Sequence, residues 1–568
     1  MQQLPITTAG TKPEQFSDDL FFAKNKKIAG LILAVFMAMG FGLRVNQLGA
    51  ESLGEDELNK LETVGEYRQN VLSGKNGEHP FLMKGLQTVS VSAAEKINSI
   101  AASASLNISE EAALRFPVAL FGTFTALLIF LLVSELFGRS IGLVSAIFWT
   151  IEPIAIASDR IAKEDSLVVF FFLFTMYFWV RGQTEAEHGN KNWTRYAWTA
   201  AAGFAGLMAS KYYPHLLAIL GGYYIVFQYI PATKWRMEGV RWLKFFAVMG
   251  FAFLILNPTI LLPDTWREML KFSSENRIGH DSYEFMGGLY PNKMTAWFAG
   301  VPWTFYYVFL AVKTSLPVLV LFLMGLPVLF RKKLGDGRFL LYLWAFMWFV
   351  PFSVLGGKFT RYFTFVEPLV LIIAAIGFCF VVKFLTEKLF GNSQVRGYAQ
   401  AVLLIVVLAT QLTNSLAVTP HFRLFTNLIG SSLAPVGSYF PHDEFYDAAT
   451  RKIVEKIIAT AHPGAVTYCE TPGLFAHYAE RLGSRDLRFT SLSDRSNLGK
   501  LVGTGDFIVL VEGRRYVSNS EYVEYFKSSL TAPEEVRING ILAARIYKLE
   551  NVDENAIRRI ATGSVPPA

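Results

Sequence analysis

Three adjacent carboxylates, Glu55, Asp56 and Glu57, follow closely on the first apolar stretch of the chain. Neighbouring carboxylates repel one another, so we expect at least one of them to pair with a cation or to hold its proton more tightly than usual. A carboxylate in such a setting can take a proton from an alcohol, which is general-base chemistry. A solvated acidic loop or the favourable start of a helix is the alternative interpretation of these three residues.

A histidine and a lysine follow in the same polar region, at His79 and Lys84. Pro80 restricts the backbone on either side and so holds the His79 imidazole in a set direction. The ammonium group of Lys84 could reach a phosphate as a point charge. An ordinary turn between two surface helices is the alternative for an isolated His-Pro pair.

The segment 158–166 carries five charges between two apolar stretches. Unpaired charges so close to hydrocarbon are costly, so this density of charge predicts pairing or a bound ion. Arg160 and Lys163 could bind an anionic headgroup, and Asp165 could pair with either of them. Four further cations lie at the outer ends of apolar stretches, where the positive-inside tendency does not explain them. We expect these cations to contribute to the same anion site. The alternative is that their side chains snorkel to the membrane interface. These further cations are Lys211, Lys313, Lys358 and Arg361.

The sequence offers no recognisable motif for a metal or a nucleotide cofactor. The eight histidines show none of the helical spacings of metal ligands. Cys379 and Cys469 stand far apart in different kinds of segment, so neither a disulfide framework nor a cysteine zinc site follows. Walker and GxGxxG phosphate loops are missing from the sequence as well. We therefore expect no required cofactor, and a divalent metal has no support in the motifs.

The composition is that of a membrane protein, since 52% of the 568 residues are hydrophobic and only 17% are charged, against about 25% charged in soluble domains. The net charge of +7 is spread over short loops, which favours membrane topology over nucleic-acid binding. Eleven apolar stretches are candidates for the roughly 17–25 residues that cross a bilayer. They cover residues 28–43, 113–136, 141–158, 166–181, 197–210, 214–231, 242–262, 316–330, 338–355, 362–383 and 398–418.

Basic clusters indicate how these stretches are oriented. The lysines within 24–27 precede the first stretch and place the N-terminus in the cytoplasm. The aromatic-rich segment 297–313 must then lie at the outer surface without crossing, because a crossing there would move the basic cluster 331–333 outside. The odd number of spans leaves the C-terminus outside. Three unusually polar segments share the outer side, namely 44–112, 158–166 and 263–297.

After about residue 420 the composition changes to that of a soluble domain. Helical and strand-like patterns alternate there, which predicts a small α/β domain. The helical patterns cover 443–461 and 518–530, and the strand-like runs cover 465–469, 506–511 and 535–549. Asn539-Gly540 in the last run is a two-residue hairpin signal. The expected parts are a cytoplasmic N-terminal tail (1–27), a transmembrane domain (28–420) with outer loops 44–112 and 263–297, and an extracytoplasmic α/β domain (421–568).

The order of these motifs resembles the dolichyl- or polyprenyl-phosphate-mannose protein mannosyltransferase family, glycosyltransferase family 39, whose members have the membrane GT-C fold. The resemblance spans roughly residues 20–420 and lies in the order and spacing of the motifs, which are Asp56-Glu57, His79 to Lys84, Arg160 to Ser166, Ser210-Lys211-Tyr212, Lys313 to Pro317 and Lys358 to Tyr362. The sequence departs from the family pattern in two places, and the second of these indicates a bacterial-type member. Phe81 replaces the second proline of the family's His-Pro-Pro, and the loop 263–297 is too short for the β-trefoil domains of eukaryotic members.

The resemblance implies a mainly α fold, a polytopic GT-C helical bundle of about eleven spans followed by the small α/β domain. It also implies an inverting glycosyltransferase that moves a sugar, mannose or another hexose, from a polyprenyl-phosphate carrier to a protein Ser/Thr hydroxyl on the outer face of a bacterial inner membrane. By the same resemblance, Asp56 and Glu57 would be catalytic with Asp56 as the base, and His79 and Lys84 would orient the base and the acceptor. The donor phosphate would be bound by a larger set, namely Arg160, Lys163, Asp165, Lys211, Tyr212, Lys358, Arg361 and Tyr362.

The expected partners are the lipid-linked sugar donor, a protein or envelope glycolipid acceptor and membrane lipid. The related aminoarabinose and arabinofuranose transferases share the architecture and use lipid or glycan acceptors, so the acceptor class stays open. A transporter or flippase is a second hypothesis, but inverted repeats and midplane polar sites are not evident in the sequence. A non-catalytic assembly subunit is a third, and it would leave the charged loops without a purpose. The C-terminal domain is not part of the family core, and its role stays open.

Overall fold

The computed structural model describes residues 20–69, 71–100, 107–229, 233–274, 279–294, 297–494, 505–530 and 533–549. Residues 1–19 of the expected cytoplasmic tail and residues 550–568 of the expected C-terminal domain lie outside this part of the chain.

The membrane part is helical, and each of the eleven apolar stretches contains a helix. In chain order the helices before residue 230 are α1 (Lys26–Val45), α2 (Glu55–Arg68), α3 (Phe81–Ile100), α4 (Glu110–Phe137), α5 (Arg139–Ile151), α6 (Pro153–Ser158), α7 (Asp165–Glu187), α8 (Thr194–Ser210) and α9 (Leu217–Gln228). They are followed by α10 (Gly239–Leu256), α11 (Pro263–Ser274), α12 (Phe305–Lys313), α13 (Leu316–Leu329), α14 (Arg338–Val354), α15 (Glu367–Leu389) and α16 (Ser393–Val418). The expected helical membrane bundle is therefore confirmed.

These helices differ in how well they could cross a membrane by themselves. Within the described residues, six are long and apolar enough, namely α1, α4, α7, α10, α15 and α16, and the apolar helices α5, α13 and α14 are shorter. Most of the apolar length of α4 and α15 is buried inside the protein, whereas that of α10 is almost entirely exposed and must face lipid. The nine-residue α12 is only about 14 Å long, so it cannot cross a hydrocarbon core of about 30 Å.

Two sheets lie outside the bundle. A hairpin of β1 (Ser282–Phe285) and β2 (Gly288–Pro291) precedes α12. The C-terminal part contains α17 (Leu428–Leu433), α18 (Pro441–Phe445), α19 (Thr450–Thr460), β3 (Val466–Cys469), α20 (Pro472–Arg481), β4 (Arg488–Ser491), β5 (Phe507–Val511), α21 (Ser520–Ser529), β6 (Glu534–Ile538) and β7 (Ile541–Lys548). The larger sheet has the order β4-β3-β5-β7-β6, with β4, β3 and β5 parallel and the last two strands antiparallel.

Helices cover both faces of the C-terminal sheet, because its central strand carries apolar side chains on both faces. Along β5, Phe507 and Val509 pack into one cluster with the apolar sides of α19 and α20. The alternate residues Ile508 and Leu510 pack with Tyr522 and its neighbours on α21. Successive side chains of a strand point to opposite faces, so a strand apolar on both faces must be covered on both. The expected small α/β domain is therefore confirmed.

Three features of the soluble parts differ from the sequence expectations. The helical pattern over 443–461 forms two helices, α18 and α19, because Tyr446 and Asp447 between them have positive φ values of 42° and 59°. The hairpin β1–β2 and the strand β4 were not expected, since each strand is only four residues long. The turn at Asn539-Gly540 was expected, and both residues have the positive φ that such a hairpin needs.

Candidate active site

Asp56 lies in the first turn of α2, on the loop that follows the first membrane helix. Gly54 is the N-cap, and the Glu57 carboxylate accepts a hydrogen bond from the Gly54 amide at 2.8 Å. An acidic first turn suits the positive end of the helix dipole. The neighbouring carboxylates of Asp56 and Glu57 have different partners, Arg361 for Asp56 and Arg115 for Glu57.

Two cations hold the Asp56 side chain. Arg361 Nη1 donates to Asp56 Oδ2 at 3.0 Å, and Lys163 Nζ pairs with the same oxygen. The Asp56 side chain is 40% exposed, whereas that of Lys163 is only 5% exposed. Partial removal from water opposes ionisation of Asp56, but the charges of Lys163 and Arg361 outweigh this effect and hold its pKa well below the usual range. Asp56 is therefore an ionised carboxylate at neutral pH.

A second, fully buried ion pair supports the first. Lys60 Nζ lies 2.7 Å from Glu164 Oε1, and both side chains are 1% exposed. His79 Nδ1 lies 3.6 Å from the same carboxylate oxygen. Desolvation outweighs the attraction of Glu164 and lowers the pKa of His79 well below its usual range, so its imidazole is neutral at neutral pH. Sequence reasoning missed Lys60, although it follows Asp56 by four residues and so lies on the same face of α2.

Glu57 joins three parts of the membrane domain. Arg115 Nε and Nη2 donate to its two oxygens at 2.8 and 2.6 Å, and the Ala162 amide donates to it at 2.7 Å. The Glu57 side chain is not exposed at all, and that of Arg115 is 1% exposed. The contacts tie α2 to α4 and to the charged segment 158–166. Glu57 was predicted to be catalytic, and the structure pairs its carboxylate with Arg115 in the protein interior.

Three cations that were expected at the site donate instead to backbone carbonyls. The Arg160 guanidinium donates to four carbonyl oxygens at and after the C-terminal end of α1, at distances between 2.8 and 3.1 Å. Lys84 Nζ donates to two carbonyls of the preceding loop, at 2.8 and 3.2 Å, and Lys358 Nζ donates to the Val301 carbonyl at 3.1 Å and to a second carbonyl nearby. All three side chains are buried. The structure thus gives them roles in packing, and it does not place them with the cations that hold Asp56.

Lys211 and Asp165 form a separate pair near the same segment. Lys211 Nζ lies 2.8 Å from Asp165 Oδ1 and 5.1 Å from the centroid of the Tyr362 ring. The Tyr212 hydroxyl accepts a hydrogen bond from the side chain of Asn257 at 3.2 Å. Lys211, Asp165 and Tyr362 are therefore brought together as expected, and Tyr212 has a different partner.

A hollow of about 610 Å³, counted with its open mouth, lies beside the Asp56 cluster. Lys163, Asp165 and Arg361 line it, so both cations that hold Asp56 face this space. Four residues from the C-terminal part also line it, and sequence reasoning missed them as site residues. They are Arg423, Asp443, Glu444 and Tyr446.

The C-terminal lining residues are firmly tied to the membrane part. Asp443 Oδ2 accepts hydrogen bonds from the Thr360 amide at 2.7 Å and from the Tyr283 hydroxyl at 2.6 Å. Glu444 forms a buried ion pair with Lys313, which was expected at the anion site. In the sequence, Asp443 and Glu444 look like the acidic start of an ordinary helix, so no local signal marks them.

The cluster contains the charges for polar chemistry on an anionic substrate. It combines an ionised carboxylate with two cations at the wall of a hollow. Among the residues that the structure describes, no group of three or more His, Cys, Asp or Glu side chains is placed to hold a metal ion. Cationic side chains can stabilise a phosphate leaving group through charge-assisted hydrogen bonds.

Comparison with known proteins gives one family match and several structural likenesses. Residues 99–262 match a family model described as dolichyl-phosphate-mannose-protein mannosyltransferase. No curated protein gives a significant match. Among solved structures, ArnT from Cupriavidus metallidurans bound to undecaprenyl phosphate is 14% identical, with 90% of this chain and 97% of that chain covered and a TM-score of 0.49.

Two further solved structures have lower TM-scores. The oligosaccharyltransferase of Archaeoglobus fulgidus, tethered with an acceptor peptide, is 10% identical, covers 86% of this chain and 69% of its own, and has a TM-score of 0.47. The protein O-mannosyltransferase Pmt1–Pmt2 complex of S. cerevisiae, bound to the sugar donor, is 17% identical and has a TM-score of 0.31. The match covers 45% of this chain and 34% of that chain. The resemblance carried by the motifs is confirmed by the family match over residues 99–262, where this chain is similar to the dolichyl-phosphate-mannose-protein mannosyltransferases, a family of membrane glycosyltransferases.

Proposed function

We propose that this protein is an inverting glycosyltransferase that moves a sugar from a polyprenyl-phosphate carrier to a hydroxyl acceptor on the extracytoplasmic face of the membrane. The observation that carries the proposal is the position of the Asp56 carboxylate. It is ion-paired with Lys163 and Arg361, and both of these cations line the same hollow. A base and a pair of phosphate-binding cations are the two groups that such a transfer needs.

The cations would bind the donor phosphate and stabilise it as a leaving group. A polyprenyl-phosphate sugar carries one phosphate, whose negative charge grows as the bond to the anomeric carbon breaks. Lys163 and Arg361 are mostly buried, so their attraction for that charge is weakly screened. Lys211 lies near enough to Tyr362 and Asp165 to belong to the same binding region. Such cations do for this leaving group what a divalent metal does for a nucleotide diphosphate.

Asp56 would accept the proton of the attacking hydroxyl. Both cations contact Oδ2, so Oδ1 is the oxygen that can face an acceptor. The low pKa of Asp56 makes it a weak base without substrate. A bound phosphate would share the two cations and add a negative charge nearby, and both effects raise the pKa of a carboxylate. Donor binding would thus turn Asp56 into a better base when the acceptor is ready to react.

The proposal also includes the sugar, the acceptor and the orientation in the membrane. The description of the matched family names mannose, a dolichyl-phosphate carrier and a protein acceptor. We therefore propose mannose or another hexose as the sugar and a protein Ser/Thr as the acceptor, with an envelope lipid or glycan as the alternative acceptor. The lysines within 24–27 support a cytoplasmic N-terminus, which puts Asp56 on the outer side of a bacterial inner membrane.

The test is transfer by the purified full-length protein in lipid nanodiscs. The protein would be given a radiolabelled polyprenyl-phosphate mannose and an envelope extract, and the released polyprenyl phosphate and the labelled acceptor would be measured. We expect the Asp56→Asn variant to lose about 10²–10⁴-fold in rate, the usual contribution of general-base catalysis. Asp264→Asn is the matched control, because Asp264 is exposed and pairs with a neighbour on its own helix, Arg267.

Each result bears on a different part of the proposal. Wild-type turnover in Asp56→Asn would remove Asp56 as the base. Failure of the wild-type protein to release polyprenyl phosphate from any of a panel of lipid-linked hexoses would reject the glycosyltransferase itself. If the label is found in lipid or glycan and not in protein, the acceptor is an envelope lipid or glycan.

A further inference from the structure

Tyr446 has a backbone conformation that aromatic residues seldom adopt. Its φ is 42°, in the left-handed region, and the next residue, Asp447, has a φ of 59°. A side chain with a Cβ is strained there, and a bulky one more so, and such strain persists only where the surroundings enforce it. The two residues lie between α18 and α19 and interrupt the helical pattern there.

The surroundings that enforce this turn come from both the C-terminal domain and the membrane part. Asp447 Oδ1 accepts a hydrogen bond from Arg514 Nε at 2.8 Å, and Asp447 Oδ2 accepts one from the Glu55 amide at 3.2 Å. The Tyr446 ring packs directly on the backbone of Gly54, where an added Cβ would come within 2.4 Å of a ring carbon. The turn is thus fixed against the start of α2, which carries Asp56.

The Tyr446 side chain is one of the walls of the hollow. The residue is 7% exposed, and it lines the hollow together with Lys163 and Arg361. The Arg423 guanidinium lies 4.9 Å from the centroid of its ring. Among the residues that the structure describes, the hydroxyl has no hydrogen-bond partner. A buried hydroxyl without a partner is unusual and calls for an explanation, such as a bound ligand.

The charges around this hydroxyl indicate what kind of ligand it would meet. Four cations line the same space, namely Lys163, Lys313, Arg361 and Arg423, together with three carboxylates, Asp165, Asp443 and Glu444. Lys313 and Arg423 each pair with a carboxylate of their own, Glu444 and Glu51. Lys163 and Arg361 share the single carboxylate of Asp56, so this pair of cations can still attract an anion. A phenol that keeps its proton can donate a hydrogen bond to an anionic oxygen. Desolvation and the negative charge of Asp56 both raise the pKa of Tyr446 well above its usual value, so the proton is present at neutral pH.

We propose that the Tyr446 hydroxyl donates a hydrogen bond to a phosphate oxygen of the lipid-linked donor, so that the C-terminal domain supplies a substrate-binding residue. This inference rests on the proposed glycosyltransferase function. It gives the C-terminal domain a direct part in the reaction, because the contacts of Asp447 transmit the position of that domain to the donor site. It also explains why a strained turn is kept between two short helices.

The experiment is a binding measurement with a probe that carries the phosphate alone. Full-length wild-type and Tyr446→Phe proteins in nanodiscs would be titrated with a short-chain polyprenyl phosphate, and the corresponding polyprenol would show how much affinity the phosphate supplies. Phenylalanine keeps the ring on Gly54 and removes only the hydroxyl. We expect Tyr446→Phe to bind the phosphate roughly tenfold more weakly or worse, as for the loss of a hydrogen bond to a charged group, and to bind the polyprenol unchanged.

Tyr468→Phe is the matched control. Tyr468 lies in β3, is fully buried and also has a hydroxyl without a hydrogen-bond partner in the described part of the chain, but it packs in the sheet core rather than in the hollow. It should bind the polyprenyl phosphate like the wild type. Equal apparent melting temperatures of the three proteins would show that affinity and not folding has changed.

The outcomes separate the inference from the proposed function. If the wild type binds the phosphate more tightly than the polyprenol and Tyr446→Phe binds it equally well, the inference is overturned and the proposed function stands. If Tyr446→Phe weakens phosphate and polyprenol alike, the hydroxyl acts on packing and the inference is again overturned. A wild type with no preference for the phosphate would overturn both.

Discussion

Replacing Glu57 with glutamine should destabilise the fold while leaving the neighbouring Asp56 and its ion pairs in place. The Glu57 carboxylate accepts four hydrogen bonds, two from Arg115 and one each from the amides of Gly54 and Ala162. Glutamine has almost the same shape, but one of its two terminal groups donates and cannot accept. The variant therefore loses at least one bond to Arg115 or to an amide and leaves the Arg115 charge buried without its counter-charge.

The size of the effect follows from the burial of this pair. Glu57 is 0% exposed and Arg115 is 1% exposed, so solvent cannot replace the lost partner. Removing one member of a buried pair costs about 3–5 kcal/mol, mainly because the other charge stays desolvated. We expect a fall of several degrees in the apparent melting temperature. Turnover per folded molecule should fall far less than in Asp56→Asn, because Asp56 keeps Lys163 and Arg361.

The measurement is thermal unfolding in nanodiscs together with donor turnover, each corrected for the folded fraction. Glu62→Gln is the control, since Glu62 lies on the same helix, is 51% exposed and pairs with Lys75 on the surface. The double variant Glu57→Gln/Arg115→Gln should lose less stability than the sum of the losses in the two single variants, because the ion pair is broken only once. If Glu57→Gln has the same apparent melting temperature as Glu62→Gln but has lost turnover, this reasoning is refuted, and Glu57 takes part directly in the reaction.

Two further predictions concern pH. Burial outweighs the attraction of Asp56 and lowers the pKa of Lys163 to about 8, so Lys163 loses its charge as the pH rises through that value, and the KM for the donor should rise with it. Lys163→Arg should keep a low KM up to about pH 10 because a guanidinium stays protonated, and a wild-type KM that is flat over this range would contradict the assignment. Burial opposes ionisation of Glu51, but Arg423 and His421 outweigh this effect and lower the pKa of Glu51 from 4.5 to about 2. The ionised Glu51 therefore contributes to stability above about pH 4.5, and this contribution is lost as the pH falls towards 2. Glu51→Gln should therefore flatten the decline of the apparent melting temperature over this range, and an unchanged slope would show that other carboxylates cause it.

Several parts of this protein could be predicted from local sequence pattern alone. Apolar runs long enough to enter a membrane must be helical there, since a helix satisfies its own backbone hydrogen bonds. The Asn539-Gly540 turn is equally local, because only a few residue types accept its positive φ values. The place of Asp56 at the start of a polar helix beyond the first span also follows from its neighbours in the chain.

Other features carry no local signal and could not have been predicted. The break between α18 and α19 contains neither proline nor glycine, and it depends on the contacts of Asp447 with Arg514 and Glu55. The hairpin β1–β2 is too short for its alternation to stand out, and it is placed partly by the bond from Tyr283 to Asp443, 160 residues further on.

The sequence by itself determined that the chain is a helical membrane protein with polar loops, and it supplied the carboxylate and the cations from which a site can be built. Only the tertiary structure decided which of these charges meet. Lys163 and Arg361 reach Asp56, whereas Arg160 reaches the carbonyls at the end of α1. A charged side chain is available to a ligand only when no group of the protein binds it more strongly. Which groups lie within its reach depends on helix ends and loops that are distant in the chain.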